Sequence, residues 1–172
     1  QYANRFKIHF PGEERDAGRP VRVRSVYEQQ KNLGAVFGLN YGWEHPLYFN
    51  ADTPESAGFT RQPWFDAVGR EARMLRNTVG VIDISNFAKY LCTGAGAESW
   101  LNAVFANNMP KAVGRSCLTP LIGVNGGIAG DFTVTRMGED EFWIIGSGMA
   151  ERYHQRFWKM VPMQFSLRSS GF

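Results

Sequence analysis

Cysteine is scarce in this chain, with only Cys92 and Cys117 among 172 residues. Two thiols do not make the disulfide framework of a small secreted scaffold, so they indicate a reducing compartment and buried, unpaired cysteines. Neither has a second cysteine or a histidine at the spacing of metal ligands, which argues against a zinc site. The sequence therefore predicts no bound metal.

Long apolar runs and blocks of one charge sign are also missing. No stretch reaches the roughly 18 apolar residues of a membrane span, and no charged-then-apolar leader opens the chain. The formal charge of +3 comes from scattered basic residues with acid pairs between them, unlike the basic stripe of a nucleic-acid-binding surface. The alternating Arg19, Arg22 and Arg24 are interpreted as a solvated strand face. We expect neither a membrane nor a nucleic acid as partner.

The three histidines, His9, His45 and His154, lie far apart in the sequence. None has a serine nucleophile motif near it, so a hydrolytic triad has little support. Structural roles are predicted for all three.

Hydrophobic residues, in contrast, are abundant. A content of 44% hydrophobic and 14% aromatic residues is typical of a globular domain with a sizeable core. A connector rich in proline, glycine and small polar residues, 50–58, separates a first part, 1–50, from a second, 51–172. In the first part, residues 26–33 predict a helix with Gly34 as its C-terminal cap.

The second part predicts an α+β domain, an antiparallel sheet with packed helices. A helix over 64–77 is expected to bury Trp64, Val68, Ala72 and Leu75 on one face. A second helix over 97–105 is expected to bury Trp100, Leu101, Val104 and Phe105, and a third over 149–160 aligns Tyr153, Phe157 and Met160. The predicted strands are 79–84, with 89–93 as its hairpin partner, then 118–124, 132–136 and 142–146.

The most informative stretch runs from Asn125 to Thr135 and contains one carboxylate, Asp131. Gly126 and Gly127 permit a tight hairpin before it, and apolar β-formers follow it, so Asp131 is expected where a strand begins. A local interpretation makes Asp131 a turn former whose side chain binds its own backbone. The alternative is a functional carboxylate, and the local residues leave both open.

These residues, Gly126-Gly127-Ile128-Ala129-Gly130-Asp131-Phe132, resemble the glycine-glycine-hydrophobic and Asp-hydrophobic signature of tetrahydrofolate-dependent aminomethyltransferases. This is the family of the glycine cleavage T-protein and of the C-terminal halves of dimethylglycine and sarcosine dehydrogenases. Residues 34–38 and 42–49 resemble the linker that precedes the folate domain in the flavin-dependent dehydrogenases. Residues 79–89 are similar to the first strand and turn of that domain, and 146–148 continue the likeness.

The resemblance implies a fold and a size. Residues 51–172 correspond to the N-terminal part of a T-protein-like folate-binding domain, which is incomplete here, and residues 1–50 correspond to the preceding linker. The chain is then a piece of a longer protein and is expected to be inactive alone. No Gly-x-Gly-x-x-Gly fingerprint follows a strand, so FAD, if used, is expected in a missing upstream domain.

The resemblance also implies chemistry, the passage of an aminomethyl or methyl group to tetrahydrofolate. Asp131 matches the family carboxylate that holds the pterin, stabilises positive charge and exchanges a proton with the amine. Phe87 falls where the family often places an apolar residue against the pterin. Leu118 aligns with a tyrosine that lines the folate site, so a stacking or hydroxyl contact is expected to be lost there.

The pair Gly130-Asp131 is closer to the dehydrogenase branch than to the glycine cleavage enzymes. This favours a small methylated amine as substrate, with the remainder of the parent chain as protein partner. Two alternatives remain, a folate-dependent demethylase without flavin and a non-catalytic folate-binding module. The expected location is the cytoplasm, or the mitochondrial matrix in a eukaryote.

Overall fold

A computed structural model describes residues 6–50, 58–62, 64–160 and 166–169. By their contacts, the residues form two compact units, Gln1–Ile84 and Ser85–Phe172. The connector predicted over 50–58 falls largely on residues 51–57, which lie outside the described part. The predicted domain boundary therefore stays a prediction. Within the described residues, every helix is too short or too polar to cross a membrane.

The first unit begins its regular structure with helix α1, Tyr27–Asn32. Gly34 follows it with φ of 82°, because glycine adopts the left-handed conformation that ends a helix without a steric penalty. The predicted helix over 26–33 and its glycine cap are confirmed.

A β-hairpin follows, in which β1, Ala35–Asn40, pairs with β2, Trp43–Phe49, in antiparallel fashion. The turn residues Tyr41 and Gly42 both have positive φ, 51° and 85°. This is the pattern of a type I′ turn, whose twist matches that of the two strands. The sequence analysis did not predict this hairpin, since its turn carries tyrosine at a position that usually holds asparagine, aspartate or glycine.

Charged side chains occupy the interior of the first unit. Arg19 Nη2 lies 2.6 Å from Glu44 Oε2. Arg24 Nη1 donates to Asp83 Oδ2 at 3.1 Å, and its Nη2 contacts His45 Nδ1 at 3.2 Å. Arg24 is 6% exposed, so its interpretation as part of a solvated face is wrong. A carboxylate and a ring nitrogen replace the water that an exposed guanidinium would bind.

Helix α2 spans Trp64–Asn77, as predicted, but it does not bury the predicted face. Trp64, Val68 and Leu75 each leave more than a third of their surface exposed, and Ala72 is exposed as well. The residue that α2 buries is Ala67. Helical periodicity locates an apolar stripe, but it does not determine whether another element covers it.

The strand predicted over 79–84 is wrong, because these residues pair with no strand in the described part of the chain, and Val79, Val81 and Ile82 are exposed. β-branched residues favour extended backbone, yet a strand also needs a neighbour. The expected partner does form a strand, β3, Ala88–Thr93. It belongs to the second unit and pairs with strands that come later in the chain.

The second unit is a five-stranded sheet in which every neighbouring pair is antiparallel. Its order is β4-β5-β6-β3-β7. The further strands are β4 (Ser116–Ile122), β5 (Ile128–Gly138), β6 (Glu141–Gly146) and β7 (Ser166–Ser169). The helices are α3 (Ala97–Val104) and α4 (Glu151–Met160), the latter preceded by a 3₁₀ turn at Gly148–Ala150. The predicted α+β class with an antiparallel sheet is confirmed.

The core of this unit lies between one sheet face and the two helices. Phe132, Val134, Phe142 and Ile144 alternate inward from β5 and β6, and Leu101 of α3 completes the centre. The predicted α3 stripe is confirmed, with Trp100, Leu101 and Phe105 buried and Val104 packed against them.

Helix α4 buries a different face from the one predicted. Tyr153 is 52% exposed, and the residues fully buried from this helix are His154 and Trp158. Phe157 packs at the edge of the core, and the side chain of Met160 lies outside the described part. The imidazole of His154 and the indole of Trp158 are buried because each carries a flat surface that packs against neighbouring aromatic rings.

Candidate functional site

The β4–β5 hairpin positions Asp131. Its turn contains Gly126 with φ of 78°, a conformation that glycine adopts readily. β5 begins at Ile128, earlier than predicted, so Asp131 lies inside the strand and pairs with Pro120 of β4. It is a strand residue, and the turn-former interpretation is wrong.

Asp131 belongs to the sheet face opposite the core. Side chains alternate along a strand, and Phe132 and Val134 are buried while Asp131 is exposed. Leu118 pairs with Thr133, two residues along β5 from Asp131, and therefore lies on the same face as a diagonal neighbour. Its side chain is 74% exposed.

Phe87 lies at the same end of the sheet. Phe132 of β5 pairs with Gly146 of β6, and Gly146 pairs with Ala88 of β3. Asp131 comes just before Phe132, and Phe87 comes just before Ala88, so both lie beyond this row of paired residues at the same end of the sheet. Their two strands are separated by two strand spacings of about 4.8 Å each. Phe87 is partly exposed. The structure thus brings all three residues singled out in the sequence to one end of one sheet.

The three residues suit a flat heterocycle bearing N–H groups. Leu118, Phe87 and the nearby Ile128 leave apolar surface exposed, against which a ring can lie. The Asp131 carboxylate only accepts hydrogen bonds when ionised, so it matches N–H donors or a developing positive charge. The roles of the three residues remain predictions.

A buried pair lies behind β5, on the core side. Tyr90 Oη of β3 is 3.0 Å from His154 Nδ1 of α4. Burial lowers the pKa of His154, whereas the carboxylates of Asp131 and Glu151 raise it. The sequence predicts a structural role for His154 but does not indicate Tyr90 as its partner, because 64 residues separate the two.

The cysteines are not candidates for nucleophilic chemistry. Both are free, with Cys92 buried and Cys117 partly buried. Burial raises the pKa of the Cys92 thiol to about 12, so it stays protonated. In the described part of the chain, no group of three or more histidine, cysteine, aspartate or glutamate side chains is placed to hold a metal ion.

Comparison with known families gives a match to the GCVT N-terminal domain over residues 26–169. Among curated proteins, the chain is 34% identical to mouse mitochondrial dimethylglycine dehydrogenase, covering 88% of this chain and 18% of that protein. It is 28% identical to the mouse mitochondrial pyruvate dehydrogenase phosphatase regulatory subunit, covering 94% of this chain and 20% of that one. The chain thus spans about a fifth of the length of these relatives.

A solved structure shares the fold. The glycine cleavage system aminomethyltransferase T from Bartonella henselae superposes with a TM-score of 0.67 and 21% identity, covering 87% of this chain and 37% of that one. At this identity the likeness establishes the fold. The expected T-protein-like architecture is confirmed.

Proposed function

The chain belongs to the aminomethyltransferase family that carries the GCVT N-terminal domain, and from that premise we propose that it binds tetrahydrofolate for one-carbon transfer. The parent activity proposed is an oxidative demethylation like that of dimethylglycine or sarcosine dehydrogenase. One observation supports it most, the placement of Asp131, Leu118 and Phe87 at one end of one sheet.

Tetrahydrofolate supplies the nitrogens N5 and N10 that accept the one-carbon unit. Leu118 and Phe87 would supply apolar surface on the side of the pterin that faces the sheet and exclude water from that side. The Asp131 carboxylate would accept hydrogen bonds from ring N–H groups, favour positive charge on the group being transferred, and exchange a proton with the amine. These interactions would be stronger in the transition state than in the ground state, because positive charge develops as transfer proceeds.

FAD and the methylated amine belong to a further part of the proposal. The relatives matched are about five times longer than this chain, and FAD would be held by another part of the parent protein. The proposed protein partner is the remainder of the parent chain, and no step is assigned to FAD. Both mouse relatives are mitochondrial, which supports the mitochondrial matrix as the location in a eukaryote.

The test is Asp131→Asn in the full-length protein that contains this chain, with product partition measured in single turnovers at saturating tetrahydrofolate. Asparagine keeps the shape and removes the charge. We expect folate affinity to stay within about tenfold, while transfer falls by about 10² or more. Amine oxidation should continue, with formaldehyde released in place of methylenetetrahydrofolate.

Asp140→Asn is the matched control, because Asp140 is an exposed carboxylate in the β5–β6 turn. It should transfer at the normal rate. An unchanged yield and rate of methylenetetrahydrofolate in Asp131→Asn would remove this carboxylate from the mechanism. Loss of amine oxidation together with transfer would show that the two activities are not separable.

A second candidate is a non-catalytic module. The likeness to a phosphatase regulatory subunit favours it, because that relative's name describes regulation rather than catalysis. Folate binding without any demethylated product, in a full-length protein that contains flavin, would support this alternative. Demethylation without flavin absorbance would instead support a flavin-independent folate-dependent demethylase.

A further inference from the structure

The side chain of Lys89, in β3, folds back onto the turn that precedes its strand. Its Nζ donates hydrogen bonds to the backbone carbonyl oxygens of Phe87 at 2.9 Å and of Ser85 at 3.2 Å. An ammonium group has three N–H donors, so at least two of them bind the backbone of this turn. Hydrogen bonds with one charged partner are stronger than neutral ones. Lys89 therefore fastens residues 85–87 to the start of β3.

Lys89 lies on the sheet face that carries Asp131. Its neighbours along β3, Ala88 and Tyr90, are buried, and side chains alternate between the two faces of a strand. A row of paired residues crosses the sheet from Lys89 to Ile145, Thr133 and Leu118. Three strand spacings, about 14 Å, thus separate Lys89 from Leu118, whereas Phe87 is two residues from Lys89 and hydrogen-bonded to it.

Gly148 holds the same turn through a second contact. It is the first residue of the 3₁₀ turn before α4. A methyl group on Gly148 would overlap the carbonyl oxygen of Asn86, and it would lie 2.8 Å from the Asn86 carbonyl carbon and 3.5 Å from the Phe87 Cα. Any side chain at position 148 would therefore displace the Asn86–Phe87 peptide. Two independent contacts, hydrogen bonds from Lys89 and close packing by Gly148, fix the backbone from which the Phe87 side chain projects.

The Phe87 side chain is itself 45% exposed. With nearly half of its surface open, its position depends strongly on the backbone that carries it. A side chain that is already ordered before a ligand binds avoids the entropy cost of being ordered on binding. Fixing residues 85–87 in advance would thus favour binding of any ring that lies against Phe87.

We propose that Lys89 is a positioning residue for Phe87. Its two hydrogen bonds to the turn keep the apolar surface of Phe87 at the end of the sheet that carries Asp131. This inference rests on the proposed function, since it assigns Lys89 to the site where tetrahydrofolate would bind. Without these hydrogen bonds, the turn would sample further conformations, and binding of the pterin would have to order it.

A double-mutant cycle in the full-length protein tests this, with the dissociation constant of tetrahydrofolate measured by titration. Lys89→Met keeps the apolar stem and removes the N–H donors, and it should weaken binding by about threefold or more. Phe87→Ala removes the ring and should weaken binding by about tenfold. Because Lys89 acts through the ring, Lys89→Met should weaken binding by less than about 1.5-fold when Phe87 is already alanine.

Leu118→Ala provides the matched background, because Leu118 lies on the same face but three strands from Lys89. The effects of Lys89→Met and Leu118→Ala on the dissociation constant should multiply, as is usual for distant sites. Lys89→Arg keeps N–H donors and should recover most of the affinity that Lys89→Met loses. Lys111→Met, at an exposed lysine of the same unit, should bind as the unmodified protein does.

An unchanged dissociation constant in Lys89→Met or in Phe87→Ala would overturn the proposal. So would a loss of the same factor in Lys89→Met with and without the Phe87 ring, because Lys89 would then act on the ligand directly or on the fold as a whole. If Lys89→Met does not fold, Lys89→Gln replaces it in the cycle, since it carries a neutral amide one bond shorter. The same two results then overturn the proposal.

The two proposals fail in different ways. Absence of tetrahydrofolate binding by the unmodified full-length protein would remove the proposed function and this inference with it. Binding of tetrahydrofolate and loss of transfer in Asp131→Asn, together with unchanged affinity in Lys89→Met, would leave the proposed function intact and remove only the role of Lys89.

Discussion

In the first unit, the buried residues include two charged ones, Arg24 and Glu44. The buried apolar residues there, such as Ala35 and Tyr48, are few. In the second unit, one continuous cluster of apolar and aromatic side chains fills the space between sheet and helices. The first is thus organised largely by paired charges and the second by apolar burial.

The two kinds of interior respond differently to substitution. Truncating a side chain in an apolar core lowers the free energy of unfolding roughly in proportion to the apolar area and volume removed, and the neighbouring side chains partly relax into the space. A buried ion pair depends on both partners, because removing one leaves a desolvated charge behind. The contrast predicts that the costliest truncation lies in the second unit, and that the first unit is most sensitive to a loss of charge.

Trp158→Ala should have the largest effect. Trp158 is 2% exposed and its ring lies within 6.0 Å, centroid to centroid, of Tyr90, Trp100, Phe105, Phe132 and Phe157. We expect the free energy of unfolding of the second unit to fall by about 3–5 kcal/mol. Urea unfolding of this chain, followed by circular dichroism, measures it.

Trp64→Ala is the matched control, since Trp64 is 42% exposed on α2. It should cost less than about 1 kcal/mol. Equal losses in the two variants would contradict the view that apolar burial is concentrated in the second unit.

Arg24→Met comes next, at about 3 kcal/mol, and should act on the first unit. Methionine fills a similar volume but leaves the Asp83 carboxylate, whose side chain is 10% exposed, without its guanidinium. Hydrogen exchange resolved by segment should show faster exchange in β1 and β2, with the protection of β4 to β6 unchanged. Arg70→Met, at an exposed position of α2, should change neither.

The same contrast explains which elements could be predicted from the sequence. Helix α3 and strands β4 to β6 of the second unit follow from alternation and periodicity, since each has an apolar face that meets the core. The residues of α3 and the strands around Asp131 were located in this way, and the register then brought Leu118 and Phe87 to the same end of the sheet.

The contacts of the first unit are harder to predict from the sequence because they join residues far apart in the chain. Arg24 and Asp83 are 59 positions apart, and nothing in the local pattern around Arg24 distinguishes a buried arginine from a solvated one. Exposed α2 shows the converse, since its apolar stripe is evident in the sequence and yet remains uncovered. The Tyr90–His154 pair was missed for the same reason of distance.

The smallest expected effect is on how the stability of the first unit depends on pH, and it involves His45. Burial lowers the pKa of His45 below the ordinary 6.5, Arg24 lowers it further, and Asp83 acts in the opposite direction. As the pH falls, the unfolded chain therefore takes up the proton before the folded chain does. The stability contributed by neutral His45 is present above pH 6.5 and is lost as the pH falls through its folded pKa.

His45→Gln should accordingly flatten the dependence of first-unit stability on pH between about 7 and 5. The measurement is segment-resolved hydrogen exchange of β1 and β2 at a series of pH values. His9→Gln, at an exposed histidine of the same unit, should keep the slope of the unmodified chain. A slope that survives in His45→Gln would assign the acid sensitivity to another group.

The half-buried His45 and the buried His154 sharpen this test, because their charged neighbours act in opposite directions. Arg24 lowers the pKa of His45, whereas Asp131 raises that of His154. Arg24→Gln should therefore raise the pKa of His45, and Asp131→Asn should lower that of His154, both followed by NMR of the ring protons. Shifts of the same sign would mean that changes in burial, rather than the paired charges, control both rings, and the distinction between the two interiors would not extend to their titration.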